Sequence, residues 1–157
     1  MSSNQLTSCL HHEIALLKQL QQLLAIEKNS LVARDYAALE ELSLKKQDLS
    51  TTLESAARER MALIGTTPNN PDPKEALLAF LKTCSTEQVS AINQLNAELA
   101  EQLTLCREQN LVNGQVIAAN LHLRREIIGE LNNQPANLYT SNGSVQVQDN
   151  ADRHQEV

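Results

Sequence analysis

The chain carries apolar residues at helical spacing along most of its length, and the first such run covers about residues 6–33. Leucines recur every seven residues in this run: Leu10, Leu17, Leu24 and Leu31. Because an α-helix turns by about 100° per residue, side chains at this spacing lie on one face. Glu13 and Glu27 occupy positions where a strict coiled-coil seam would be apolar, so the run predicts a helix at the edge of a globular bundle.

A second helical run covers about residues 36–64, and Asp35 stands before it as a suitable N-cap. One face of this run is apolar: Leu39, Leu42, Leu49, Leu53, Ala56 and Leu63. Lys46 and Arg60 interrupt that face, and we expect their aliphatic stems to lie along it while their charges reach water. The Gly- and Pro-rich segment 65–71 then ends the helix and reverses the chain, with its glycine placed for a left-handed C-cap.

The longest run covers residues 73–131 and opens with a clear start signal. Asp72 is placed as N-cap, and Pro73 takes the first helical position, where its missing N–H costs nothing. Apolar residues then recur on one flank: Leu78, Leu81, Ile92, Leu95, Leu99, Leu103 and Cys106. We predict one helix over this range, with a bend or the start of a separate fourth helix just after Asn113-Gly114, because a glycine weakens a helix by about 1 kcal/mol relative to Ala.

The last part of this helix has a wider apolar face than a single seam needs. Its members, projected at 100° per residue, fall in an arc of about 160°. They are Val116, Ile117, Leu121, Leu123, Ile127, Ile128 and Leu131. Such a face can hold an amphipathic helix of another protein. The alternative is that the arc is buried inside the bundle or in a homodimer, and the residues alone leave both open.

Residues 1–131 are thus predicted to form one helical bundle domain, and residues 132–157 a flexible polar tail. Within the tail, the alternation over residues 145–148 could add a short strand to another element. The composition, 41% hydrophobic and 2% aromatic, favours an all-α fold, because strands favour aromatic and β-branched residues. We therefore predict an antiparallel bundle of three to four long helices with coiled-coil-like packing.

Charge and hydropathy exclude several classes of protein. The net charge is -6 and the basic residues are scattered, which argues against binding to nucleic acid or to anionic membranes. No run approaches the roughly 18 apolar residues that span a bilayer, so we expect no membrane insertion. The first five residues are polar and do not resemble a signal sequence, which favours a cytoplasmic protein.

The sequence shows no motif for catalysis, a cofactor or a metal. Cys9, Cys84 and Cys106 are far apart, which argues against a disulfide framework or a zinc site and favours packing roles. His11 and His12 are adjacent and point about 100° apart on a helix, so a metal site there is disfavoured. Glu-x-x-His pairs, nucleotide-binding glycine motifs and nucleophile elbows are absent from the sequence. We therefore do not expect an enzyme. The alternative, a metal-dependent enzyme, predicts a stoichiometric metal in the purified protein, which elemental analysis would detect.

Several positions together resemble a known family. They are Leu23-Leu24, Glu27, Leu31, Asp35, Leu39, Leu42, Lys46 and Leu49, then a Pro-rich loop, then Asn110, Asn113-Gly114, Ile117, Leu121 and Leu131, and finally Tyr139 ahead of Gly143. This arrangement is similar to the FlgN-type flagellar export chaperones and covers most of the chain. The glycine-containing pair within a helix and the trailing Tyr-to-Gly segment are its more specific parts.

The resemblance implies a cytoplasmic bundle, a monomer or homodimer, that binds hook-associated junction proteins through their amphipathic helical segments before export. In that family the C-terminal helical region holds the client, which by position is the arc from Val116 to Leu131. The resemblance also implies that Tyr139 takes part in docking at the export gate; the structural alternative is that it anchors the tail on the bundle. The sequence departs from the family's glycine-like context there, because Thr140-Ser141-Asn142 follows the tyrosine. A structural or homo-oligomeric bundle without an export role is the alternative.

Overall fold

The computed structural model describes residues 2–132, 138–139 and 145–146; inside the last helix, the side chains at positions 123, 124, 127 and 130–132 are not part of this description. The helices are α1 (Ser2–Ala33), α2 (Tyr36–Leu63), α3 (Pro73–Leu81) and α4 (Thr86–Asn132). Two short strands follow, β1 (Leu138–Tyr139) and β2 (Val145–Gln146). The predicted all-α fold and helical bundle are confirmed.

The bundle is arranged around α1, which packs along both α2 and α4, whose backbones otherwise stay mostly apart. α1 and α2 are antiparallel, because Glu13 pairs with Arg60 near one end of the helix pair while Glu27 pairs with Lys46 nearer the other. α3 is the short crossover that lets the chain return and run α4 alongside α1. The three long helices therefore alternate in direction along the chain.

Three apolar clusters fill the bundle. The first lies near the start of α1, where α3 covers it with half-buried side chains, and comprises Leu6, Leu10, Ile14, Ile92 and Leu95. The second joins α1 to α2 and comprises Leu16, Leu49 and Ala56. The third joins α1 to α4 and comprises Leu17, Leu24 and Cys106. All four leucines of the predicted seven-residue seam of α1 are buried.

The turn between α1 and α2 is built from backbone hydrogen bonds and one cap. Arg34 adopts a left-handed conformation with φ of 56°, and its N–H donates to the carbonyl of Leu31 over 3.2 Å. The N–H of Asp35 donates to the carbonyl of Ser30 over 3.0 Å, which completes a Schellman motif. The side chain of Asp35 accepts a hydrogen bond from the N–H of Ala38, so the predicted N-cap is confirmed.

The predicted single helix over residues 73–131 is wrong in one respect: it is two helices, α3 and α4, separated by residues 82–85. The break has a local cause, a capping box. The N–H of Gln88 donates to the Ser85 hydroxyl, and the N–H of Ser85 donates to the Gln88 side chain. The interruption changes the helical phase, so Leu78 of the predicted apolar flank is 61% exposed. α4 itself runs without interruption through Asn113-Gly114, so a separate helix does not begin there.

The expectation that Lys46 and Arg60 send their charges into water is also wrong. Arg60 Nε donates to Glu13 Oε1, and its Nη2 donates to Glu13 Oε2 over 3.4 Å. Lys46 Nζ lies 3.4 Å from Glu27 Oε1. The cations of α2 therefore neutralise the two carboxylates that interrupt the seam of α1. Glu13 and Glu27 are two heptads apart, and so are Lys46 and Arg60, which keeps both pairs in register.

The prediction of a flexible tail over residues 132–157 falls mostly outside the described residues. Within the described part, Leu138 pairs with Gln146 and Tyr139 pairs with Val145 in an antiparallel arrangement. The strand expected near residues 145–148 thus pairs inside the tail. None of the described helices has the length and apolarity that a membrane-spanning helix requires.

Candidate functional site

The register of α4 against α1 is recorded by three side chains that donate to backbone carbonyls. Cys106 Sγ donates to Leu17 O over 3.3 Å, Asn113 Nδ2 to Leu24 O over 2.9 Å, and Asn120 Nδ2 to Leu31 O over 3.1 Å. Each donor and its acceptor are separated by the same 89 residues. Equal separation means that the two helices run parallel, residue for residue, over this length.

The same register leaves the end of α4 without a neighbouring long helix. α1 ends at Ala33, and α2 begins at Tyr36 and runs back along α1. α4 continues to Asn132, about ten residues or about 15 Å past the point opposite Ala33. We call residues 122–132 the projecting segment. Neither α1 nor α2 extends far enough to cover it.

The described members of the predicted apolar arc lie on the flank of α4 that leads into this segment. Val116, Ile117 and Leu121 are half-buried, and Ile128 is 41% exposed. Ile117, Leu121 and Ile128 share a flank, because they are four and seven residues apart, and this flank adjoins the one that meets α1 at Asn113. The side chains of the other three members, Leu123, Ile127 and Leu131, lie outside the described part.

The structure adds two apolar residues that the sequence reasoning missed. Leu111 is 58% exposed and Val112 is 38% exposed, one turn before the predicted arc. The sequence could have indicated that one of them is exposed, because adjacent apolar residues on a helix cannot both face the same neighbour. Exposed apolar surface therefore begins one turn before the predicted arc and continues toward the projecting segment.

A polar cluster just before the predicted apolar arc of α4 joins the three long helices. Lys46 Nζ of α2 donates to Asn110 Oδ1 of α4 over 2.8 Å and lies 3.4 Å from the Glu27 carboxylate of α1. Asn113, which is 2% exposed, donates to Glu27 Oε1 over 2.8 Å. The Glu27 side chain is largely buried and is matched by one cation and one amide. Such a cluster favours one relative position of the three helices, because a shifted neighbour would leave its polar groups unpaired.

The opposite side of the projecting segment is polar. His122 Nε2 lies 3.1 Å from Glu126 Oε1, one helical turn away, and both side chains are exposed. His122 Nδ1 also lies 3.1 Å from a guanidinium nitrogen of Arg125. The segment is therefore amphipathic, with an apolar flank and a hydrated one.

Tyr139, the residue that the resemblance assigned to docking, lies in β1. Its backbone pairs with Val145, and β1 contacts α4. Its side chain lies outside the described part, so its predicted role stays a prediction.

A surface depression that was not predicted from the sequence lies between α1 and α2. It has a volume of about 530 Å³. Its floor and rim are formed by Leu16, Gln19, Gln22, Leu23, Ile26, Lys45, Asp48, Leu49 and Thr52. Ile26, on its rim, is 51% exposed. The depression is open, and its lining mixes four apolar side chains with polar ones that include Lys45 and Asp48.

In the part of the chain that the structure describes, the titratable groups include two thiols with raised pKa values and form no metal-binding cluster. Among the described residues, no group of three His, Cys, Asp or Glu side chains could hold a metal ion. Burial raises the pKa of the Cys106 thiol, and burial followed by the nearby Glu59 carboxylate raises the pKa of the Cys9 thiol. Raised pKa values keep both thiols protonated and unreactive near neutral pH.

The family model described as FlgN protein matches residues 1–146, which include all four helices and both strands. No curated protein and no solved structure matches the chain.

Proposed function

Because the chain belongs to the FlgN family of flagellar export chaperones, we propose that it binds hook-associated junction proteins in the cytoplasm and keeps them competent for flagellar type III export. The observation that carries this proposal is the projecting segment. α4 continues past the ends of α1 and α2 and carries Ile128, which is 41% exposed, on the flank that it shares with Ile117 and Leu121. A client helix supplies the neighbouring helix that α1 and α2 do not provide there.

The client is an amphipathic helix that lies along the flank formed by Val116, Ile117, Leu121, Leu123, Ile127, Ile128 and Leu131. Burial of apolar surface contributes about 25 cal/mol per Å², and a contact of several hundred Å² gives micromolar or somewhat tighter binding after ordering costs are subtracted. Such affinity protects a client from self-association and still permits release. The chaperone acts by binding alone, so it requires no cofactor and catalyses no reaction.

Delivery to the export gate is the second part of the proposal and rests on Tyr139. The residue follows the projecting segment by a few positions, and the β1 strand that carries it contacts α4. The client and the gate would then engage neighbouring parts of the chain.

The test compares two exposed apolar residues on different helices. Ile128→Ser should weaken binding of a hook-associated protein by about three- to eightfold, measured by isothermal titration calorimetry, because a client can bury only the 41% of this side chain that is exposed, which contributes about 0.6–1.2 kcal/mol. Leu44→Ser is the matched control on α2, where Leu44 is 62% exposed, and should leave the affinity unchanged. The helical circular dichroism of both variants should match that of the native chain.

Equal affinity for Ile128→Ser and the native chain would contradict the proposed surface. The alternative, a homo-oligomeric bundle, makes a different forecast: sedimentation would show a stable dimer that Ile128→Ser dissociates, with no binding of hook-associated proteins. Ile117→Ser together with Leu121→Ser tests the half-buried part of the flank. Loss of helicity in that variant would assign those two residues to the core.

A further inference from the structure

Tyr36, the first residue of α2, is the one strongly exposed aromatic side chain in the part of the chain that the structure describes. The sequence contains two tyrosines and one phenylalanine. Phe80 packs against the first apolar cluster, whereas Tyr36 is 63% exposed. Tyrosine is enriched where proteins bind one another, because its ring offers a large apolar area and its hydroxyl tolerates water. Tyr36 is therefore a candidate contact residue if it lies beside the apolar flank of α4.

The turn between α1 and α2 brings Tyr36 to the point where the projecting segment of α4 begins. Asn120 donates to Leu31 O over 3.1 Å, so the end of α1 lies beside this part of α4. The same carbonyl accepts the N–H of Arg34 over 3.2 Å, in the turn that leads directly into α2. Tyr36 follows two residues later and is held at the same level.

Contacts between α2 and α4 give the same level independently. Lys46 Nζ donates to Asn110 Oδ1 over 2.8 Å, and Arg60 and Asn96 line one depression together. The second pair lies fourteen residues along α2 and fourteen residues back along α4, as expected for two antiparallel helices that advance by the same rise per residue. Counting ten residues the other way from the first pair brings Tyr36 level with residues 120–121.

Tyr36 and the apolar flank of α4 border the same groove between the two helices. Lys46 and Asn110 mark the flanks on which α2 and α4 meet. Tyr36 is ten residues from Lys46 and Leu121 is eleven from Asn110, which places both within about 80° of those flanks. Because helical side chains point toward the N-terminus of their own helix, Tyr36 points toward the projecting segment, and Leu121 and Ile128 point back toward α2.

We propose that Tyr36 is a client-contact residue: the amphipathic client helix lies in the groove between the start of α2 and the end of α4 and packs against Tyr36 as well as Ile117, Leu121 and Ile128. This inference rests on the function proposed above and extends the binding surface from one helix to two. A helix laid into a groove contacts both walls, so it buries more of its apolar face than a helix on a single flank.

The size of this surface suits one helix of a client rather than a second copy of the chain. A fully buried aromatic side chain covers about 150–250 Å², so the exposed 63% of Tyr36 offers about 95–160 Å². The exposed parts of the α4 flank raise this to a few hundred Å². A stable dimer buries about 800 Å² on each partner, and two copies of a chain with a net charge of -6 repel each other.

Calorimetric titration of full-length variants with a hook-associated protein tests the contact. Tyr36→Ser should weaken binding about eight- to thirtyfold, because a client that covers half of the exposed ring buries about 50–80 Å² at about 25 cal/mol per Å². Tyr36→Phe keeps the ring and should bind like the native chain. Leu44→Ser is the matched control, because Leu44 is 62% exposed on α2 but lies two residues before Lys46, on the side turned away from α4.

A photoreactive residue identifies the polypeptide that lies against this position. Benzoylphenylalanine is incorporated in place of Tyr36 or, as the control, in place of Leu44, and each chain is illuminated together with a hook-associated protein. Mass spectrometry of the products should show crosslinks from position 36, and none from position 44, to an amphipathic helical segment of the hook-associated protein. Crosslinks from position 36 only to a second copy, or only to another part of the same chain, would overturn the proposal.

The titrations separate a failure of this inference from a failure of the proposed function. Unchanged affinity in Tyr36→Ser, together with weaker binding by Ile128→Ser, would overturn the contact at Tyr36 and leave the chaperone function standing. A loss in Tyr36→Phe as large as that in Tyr36→Ser would also overturn the contact, since packing of the ring would not be its basis. A native chain that binds no hook-associated protein would overturn the proposed function itself.

Discussion

Replacing Arg60 by Met tests whether the buried ion pair between α1 and α2 is required for stability. The Glu13 side chain is 6% exposed and the Arg60 side chain 20%. Met keeps an apolar stem of similar length, so the main loss is the cation, which leaves a buried carboxylate unpaired. Breaking a buried pair in this way costs about 3–5 kcal/mol, and the partial exposure of Arg60 places the expected loss near the lower end, about 3 kcal/mol.

Urea unfolding followed by circular dichroism at the helical band measures this loss. A change of 3 kcal/mol also lowers the melting temperature of a chain of this size by about 6–12 °C. Lys45→Met is the matched control, because Lys45 pairs with Glu41 at the surface, where both side chains are more than half exposed and a pair contributes about 0–1 kcal/mol. Glu13→Leu combined with Arg60→Met should recover most of the stability, since neither charge is then buried alone.

Two results would contradict this expectation: Arg60→Met is no more destabilising than Lys45→Met, or adding Glu13→Leu lowers stability further. Either result would mean that water reaches Glu13 and that the pair behaves as a surface pair.

Two further predictions concern the turn and the thiols. Arg34→Gly should raise the unfolding free energy by about 0.5–1 kcal/mol in the same urea assay, because a side chain is disfavoured at φ of 56°; Arg34→Ala should give no such gain. Cys106 should react more slowly than Cys84 with a thiol reagent at pH 8, as measured by peptide mass mapping. Cys106 is 4% exposed and burial raises its pKa, so less of its reactive thiolate is present, and its reaction rate should keep rising above pH 9. Equal rates at Cys106 and Cys84 would show that α4 opens readily.

The sequence was sufficient for the helices whose signals are local. The leucine seam of α1, the caps at Asp35 and Asp72 and the glycine at position 65 each act within a few residues, and the structure confirms them. The break before α4 was also local, but its Ser-x-x-Gln box lies in a stretch without Gly or Pro, where helix propensity alone predicts continuity.

Contacts between helices were not predicted, because they depend on which helix faces which. Glu13 and Glu27 were recognised as exceptions in α1, and Lys46 and Arg60 as exceptions in α2. Their equal spacing of two heptads was visible in the sequence, yet only the antiparallel packing of these helices makes it a pairing rule. The projecting segment could not be predicted for the same reason, since its length follows from the register of α4 against α1.

The central place of α1 also affects the order in which the chain can fold. α1 and α2 are consecutive, joined by a tight turn, so their contact closes only a short loop and loses little chain entropy. α4 must return across α2 and α3 before it reaches the same helix. On a ribosome, the hairpin of α1 and α2 can therefore assemble while the helix that bears the exposed apolar end is still being synthesised.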